Sequence, residues 1–419
     1  MTASARNRML VLSIAVLFAW SSDTNANPGR YYRVELRAGS VAIPFILEIP
    51  DTRPAMSAVV RNGEEAIKVS DAVVQGDRLV LEFPHYDSVI EGRFEKNDAI
   101  KGVWKKKSRD GSVVSMDVVG TPLPADETGR RFTRHHQITE EIVNREPVDG
   151  RWAVRFESSE SPAVGVFEQK TDGTVAGTFL TDTGDYRYLA GSYEHGLLRL
   201  SCFDGSHAFL FHATMQDDGS LKGDFWSGAK WHETWTAKRD ERAQLADGFS
   251  LAKWHGKADF AAMKFRNVEG AETSVQSLVE GGKGVIIEVF GSWCPNCSDA
   301  GELLAELDSR YRDKGLRIVG LAFEYSGQFE RDVKQLRRFA ERHGTTYPLL
   351  LAGKADKNEA ATKLPMLDRV VAFPTFIIAK PDGTIAAVYT GFSGPATGEK
   401  HERLKQRFER EIQSLLTAH

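Results

Sequence analysis

Along the first half of the chain, apolar and polar positions alternate in short runs. Arg78-Leu79-Val80-Leu81-Glu82-Phe83 and Leu197-Leu198-Arg199-Leu200 are two of them, and Gly and Asp turns bound such runs. A period of two sends successive side chains to opposite faces of a strand, so this stretch predicts antiparallel sheet. The pattern returns about 120 residues further on. Gly29-Arg30-Tyr31-Tyr32 is matched by Gly150-Arg151-Trp152, and Gly76-Asp77-Arg78-Leu79 by Gly196-Leu197-Leu198. Lys101-Gly102-Val103-Trp104 is matched by Lys222-Gly223-Asp224-Phe225. The expectation is an all-β region built from a duplicated antiparallel meander, with copies at 27–122 and 150–240. A polar connector at 123–149 separates them and holds Arg130, Arg131, Arg134, His135 and His136.

From about Asp240 the period changes. Leu303, Leu304, Leu307 and Tyr311 keep helical spacing, as do Val333, Leu336 and Phe339, which stop at His343-Gly344. A last helix carries Leu404, Phe408, Ile412 and Leu415. Between these helices lie the apolar runs Val285–Phe290, Leu316–Phe323 and Phe376–Ala379, and Pro381-Asp382-Gly383 turns the chain into Ile385–Tyr389. Strands alternating with helices, closed by a hairpin and a helix, predict an α/β domain over 245–419.

Composition changes little of this. The 419 residues are 41% hydrophobic with a formal net charge of -4, enough apolar content for several cores and no basic stripe for nucleic acid. The N-terminus matters more. Arg6 and Arg8 precede a short apolar run, Met9–Trp20, and Thr24-Asn25-Ala26 is a small-residue cleavage site. Residues 1–26 therefore read as a signal peptide for export to the periplasm, with an uncleaved N-terminal anchor as the alternative. The chain has 3 cysteines, too few for a disulfide scaffold.

Two of those cysteines carry the candidate chemistry. Trp293-Cys294-Pro295-Asn296-Cys297 joins a strand-like run to a helical one. There the helix N-terminus stabilises a thiolate at Cys294, and Cys297 lies one turn away, able to close a reducible ring. A structural zinc site needs two further ligands, which the neighbouring sequence lacks. Copper held by the two thiolates with His343 or His401 is a minor reading. Glu288 stands inside the apolar run Ile286-Ile287-Glu288-Val289-Phe290, where burial raises a carboxyl pKa towards the range useful for proton transfer. Pairing with Lys283 or Lys380 is the structural alternative. Cys202 reads as a small buried hydrophobe. His207 and His212 are read on opposite faces of one strand.

Residues from about 260 to 419 resemble the exported thioredoxin-fold disulfide reductases of the TlpA/ResA kind. The resemblance rests on Trp293–Cys297, on Phe373-Pro374-Thr375, and on the loop Gly391–Gly398. It implies Cys294 as the attacking thiolate, Cys297 as the resolving one and Glu288 as the proton shuttle. It implies a cis-proline at Pro374 facing the cysteines, Pro374 and Thr375 docking the substrate backbone, Trp293 packing beside the sulfur, and Phe373 as a further substrate-binding residue. The partners implied are disulfide-containing proteins and a membrane electron donor, with no cofactor. One departure stands out: several such reductases carry a glutamate three residues after the second cysteine, where this chain has Ala300, so the acid role is expected at Glu288. The alternatives are a thiol peroxidase, and a non-enzymatic binding or metal-delivery module.

Overall fold

The structure, a computed structural model, describes residues 29–51, 54–69, 71–124 and 146–417. The export segment, its cleavage site and the cluster Arg130–His136 lie outside the described residues. No described helix is long and apolar enough to cross a membrane.

The N-terminal region is largely β-sheet, as its alternation predicts. A first sheet of nine antiparallel strands is centred on Arg30–Ala38, which pairs with Val41–Ile49 on one side and Val113–Pro122 on the other. From this pair the chain meanders outwards in both directions. The two edge strands, Glu65–Val69 and Asp71–Gln75, are near neighbours in the chain, so the sheet curls back on itself. Tyr32, Val34 and Leu36 fill its inside at alternate positions with Phe45, Leu47 and Ile49. Thr121 and Pro122 belong to this sheet, pairing with Arg33 and Tyr32.

A second nine-stranded sheet runs from Gly150–Phe156 to Trp231–Arg239. Ala163–Gln169 pairs with both Gly150–Phe156 and Thr174–Thr181, which closes this sheet into a barrel. Its interior is aromatic: Trp152, Phe179, Phe211 and Trp235 are fully buried, and Cys202 is buried among them as expected. His207 lies just before the strand Ala208–Met215 rather than on it, because Asp204 holds it in a turn through its backbone N–H and ring. The expected alternation with His212 therefore does not arise.

The C-terminal region is a seven-stranded mixed sheet. Leu349–Lys354, Leu316–Glu324 and Gly284–Phe290 run parallel, and Thr375–Ala379 and Ile385–Thr390 complete that side antiparallel. Every residue of Gly284–Phe290 is buried, as a strand covered on both faces must be. Helices Pro295–Tyr311, Phe329–His343 and Glu399–Thr417 supply the cover, inserting Leu304, Leu336 and Phe408. The first begins at Pro295, ahead of its apolar repeat at Leu303, because proline is tolerated at the first helical position, where an N–H would find no intrahelical acceptor. Gly344 ends the second at φ 62°, a left-handed cap that glycine adopts without strain.

The three units are tied together by polar contacts. Asn62 of the first sheet exchanges two hydrogen bonds with the Phe203 backbone of the second, at 2.9 and 3.0 Å. Helix Phe329–His343 docks on residues 84–87: Gln335 donates to the Pro84 carbonyl and to Asp87, and Arg331 pairs with Asp87.

Candidate active site

Cys294 is the N-cap of helix Pro295–Tyr311, with φ -96° and ψ 117°. Its sulfur accepts the Cys297 backbone N–H at 3.3 Å and lies 3.5 Å from the Phe373 carbonyl oxygen. The helix start thus aims an orphan N–H and its positive dipole end at this sulfur, the arrangement that favours negative charge there. Cys294 is 8% exposed, whereas Cys297 is wholly buried. Neither is disulfide-bonded. Burial, and then the hydrogen bond with Cys294, push the Cys297 thiol well above its ordinary range.

The Phe373–Pro374 peptide is cis. Phe373 packs edge-on to Trp293, with ring centroids 5.8 Å apart. Trp293 donates its indole N–H to the Phe323 carbonyl at 2.8 Å and stacks on Tyr325 at 4.7 Å. Thr375 is fully buried, and its hydroxyl is engaged by the Ala372 carbonyl and Thr390, each at 2.8 Å. That side chain braces the Pro374 loop from within.

Glu288 is fully buried, and neither carboxylate oxygen has a hydrogen-bond partner. Desolvation, and then the Cys294 charge, raise its pKa well above the ordinary carboxylate range. Cys297 senses it electrostatically in turn. Among the described residues, no ion pair to Lys283 or Lys380 joins it. Ala300 is buried and offers no acid.

Sequence reasoning missed several groups. Glu324 closes the apolar run Leu316–Glu324 and accepts from both the backbone N–H and the hydroxyl of Ser292, each at 2.8 Å, bracing the loop before Trp293. An acid within an apolar run is the signal that singled out Glu288, whereas Glu324 stands at the end of its run. The guanidinium of Arg109, from the turn after strand Ile100–Lys107, lies 4.8 Å over Trp293 and 5.3 Å over Tyr325. Asp299, two residues after Cys297, pairs with Arg187 of the second sheet. Arg187 also meets Glu65 at 3.2 Å and Asp204 at 3.7 Å, so one buried cation ties the cysteine helix to both β-sheets. Nothing local in the sequence marks these long-range partners.

Burial pushes Asp299 up to about 7 against the opposing pull of Arg187, and pushes Glu324 up to about 7 against its Ser292 hydrogen bonds. A carboxyl whose pKa is raised by folding stabilises the fold while protonated and loses that contribution as pH rises through the raised value. These two groups are therefore expected to lower stability between about pH 4 and 7. Urea midpoints at the two ends of that window measure it, and Asp299→Asn is expected to flatten the slope.

Residues 257–388 match the AhpC/TSA family. The chain is similar to the thioredoxin-like protein YneN of Bacillus subtilis, 28% identical over 129 residues, which are 30% of this chain and 66% of the relative. It is also similar to the thiol-disulfide oxidoreductase ResA of Halalkalibacterium halodurans, 24% identical over 125 residues, covering 30% of this chain and 62% of that one. The chain thus spans just under two thirds of the length of these relatives. Among solved structures, a DsbF homologue from Corynebacterium diphtheriae aligns at 17% identity and TM-score 0.31, covering 41% of this chain and 98% of that one. The resemblance read from Trp293–Cys297 and Phe373–Thr375 is borne out over the C-terminal residues, which have a thioredoxin-like fold.

Proposed function

We propose that this chain is an exported thiol-disulfide oxidoreductase that reduces protein disulfides through Cys294 and Cys297, by way of a mixed disulfide. The observation that carries the reading is the Cys294 sulfur at the helix N-cap, 3.3 Å from the Cys297 N–H and beside the Phe373 carbonyl that precedes Pro374. The kinship with proteins named as thiol-disulfide oxidoreductases supports it.

In this mechanism the Cys294 thiolate attacks one sulfur of a substrate disulfide. A Cys294–substrate bond forms, and the other substrate sulfur leaves as a thiolate that takes a proton from water. Cys297 then gives its proton to the Glu288 carboxylate and attacks Cys294. The Cys294–Cys297 disulfide closes and the second substrate thiolate leaves. Two electrons have passed to the substrate. An external dithiol restores the reduced pair; in the cell envelope that reductant is read as a membrane electron donor. Trp293 and Phe373 flank the sulfur, and Pro374 and Thr375 hold the docking loop. The domains are read as 27–122, 150–240 and 245–419, after the signal peptide 1–26. The adjacency of first and last strands in both β-sheets favours an origin by duplication.

Glu288→Gln keeps the shape of the side chain and removes its proton chemistry. Loss of a positioned base is worth about 100-fold or more. The variant is expected to slow closure of the Cys294–Cys297 bond by about that factor at neutral pH while leaving the first attack nearly unchanged. Burial raises the Glu288 pKa, so the wild-type closure rate is expected to climb with pH through that raised value. Single-turnover rates across pH, read by tryptophan fluorescence, test this. Matching profiles for both steps would remove Glu288 from the mechanism, and absence of any disulfide exchange would overturn the function itself.

A further inference from the structure

Cys294 opens into a cleft of about 950 Å³ whose opposite wall belongs to the β-rich region. The thioredoxin-like domain contributes Trp293, Cys294, Asn296, Tyr325 and Phe373. The second barrel contributes Tyr186, Phe209, Phe225 and Trp231, and the first sheet contributes Lys106 and Arg109. This wall is fixed against the site at three points. Arg109 stacks over Trp293 and Tyr325. A Cβ on Gly184 would overlap the Asn296 amide, so the barrel turn presses on the residue between the cysteines. Arg187 pairs with Asp299 on the cysteine helix.

From this we infer that the β-rich region selects the substrate of Cys294: a disulfide on an extended polypeptide segment whose cysteine is flanked by an aromatic and an acidic residue. The inference rests on the exchange reading above and adds the substrate class. Extension follows from size. The cleft lies at the upper end of the range for small-molecule pockets, about 300–1,000 Å³, and has room for a few residues rather than a domain surface. The aromatic preference follows from the wall. Tyr186, Phe209 and Phe225 form a cluster with ring centroids 5.3–5.5 Å apart, and Trp231 is half exposed beside them.

The acidic preference follows from the charges left over. The three carboxylates lining the cleft are already engaged. Asp185 accepts the Arg187 and Gly394 backbone N–H groups. Glu233 accepts from Ser158 and the Trp231 indole, and Asp356 caps a helix through Asn358 and Glu359. Lys106 donates to Ser206. Arg109 and Lys357 have no carboxylate partner among the described residues. Burial, and then the nearby Arg109, depress the Lys357 pKa.

The test uses the full-length protein with dithiothreitol as reductant and short symmetric peptide disulfides. One peptide carries Phe and Glu around its cysteine; two others replace Phe by Ser or Glu by Lys. The Phe/Glu peptide is expected to exceed each control in kcat/KM by about tenfold. Trp231→Ala should collapse the Phe-over-Ser ratio and keep the Glu-over-Lys ratio, and Arg109→Gln should do the reverse. Each retained ratio shows that the variant still folds. Equal rates on all three peptides, or ratios untouched by both variants, would overturn the inference while leaving the exchange activity standing. No turnover on any peptide or on bis(2-hydroxyethyl) disulfide would overturn the exchange reading and this inference with it.

Discussion

Replacing Arg187 by methionine is expected to destabilise the protein by about 3–5 kcal/mol, the usual cost of removing one partner from a buried ion pair. The guanidinium is nearly inaccessible and meets Asp299, Glu65 and Asp204, which come from three different units. Methionine fills much of the volume but leaves three carboxylates facing one another out of water. Their repulsion acts across the seams between the units, so the first loss is expected to be docking of the cysteine helix against the barrel. Urea denaturation followed by tryptophan fluorescence reads the midpoint. Adding Asp299→Asn should recover part of the loss, since one of the stranded charges is then gone, and a coupling of roughly 0.5–3 kcal/mol is expected for residues in one network. A strictly additive double variant would show that Arg187 and Asp299 do not act as a pair.

The second large effect concerns the cysteines. Cys294→Ser is expected to bring disulfide reduction down to the uncatalysed rate, because a serine hydroxyl at the same N-cap is no nucleophile towards sulfur. Cys297→Ser is expected to abolish steady-state turnover almost as fully, for a different reason. The first attack proceeds, but the mixed disulfide is left without its resolving thiol. The two losses should not multiply in the double variant, since residues that act in sequence on one bond are far from additive.

How much of this was legible in the sequence depended on distance along the chain. The cysteine pair, the strand before it and the helix after it are one continuous stretch, and local pattern was enough to find them. Glu288 was visible because an acid interrupts an apolar run, and the structure leaves it buried and unpartnered. Glu324 went unread, because it stands at the end of its strand, where an acid is unremarkable. The alternating runs announced sheet, but the pairing of Gly150–Phe156 with the distant Trp231–Arg239, without which the second sheet could not close, is not encoded by periodicity. The Thr375 hydroxyl is engaged inside the domain by Thr390, fifteen residues on, a contact no local pattern announces. Arg109 and Arg187 were beyond reach for a plainer reason. Each acts on the cysteine segment from a hundred or more residues away, and neither sits in a pattern that separates it from an ordinary surface arginine.

The central claim is that Cys294 is the sulfur that joins the substrate and Cys297 the one that releases it. Incubating reduced Cys297→Ser protein with a peptide disulfide and mapping the product by mass spectrometry after tryptic digestion tests it directly. The account predicts one peptide attached through Cys294, with Cys202 unmodified in its buried site. A peptide found on Cys202, or a Cys297→Ser protein that turns over many equivalents like the wild type, would contradict it.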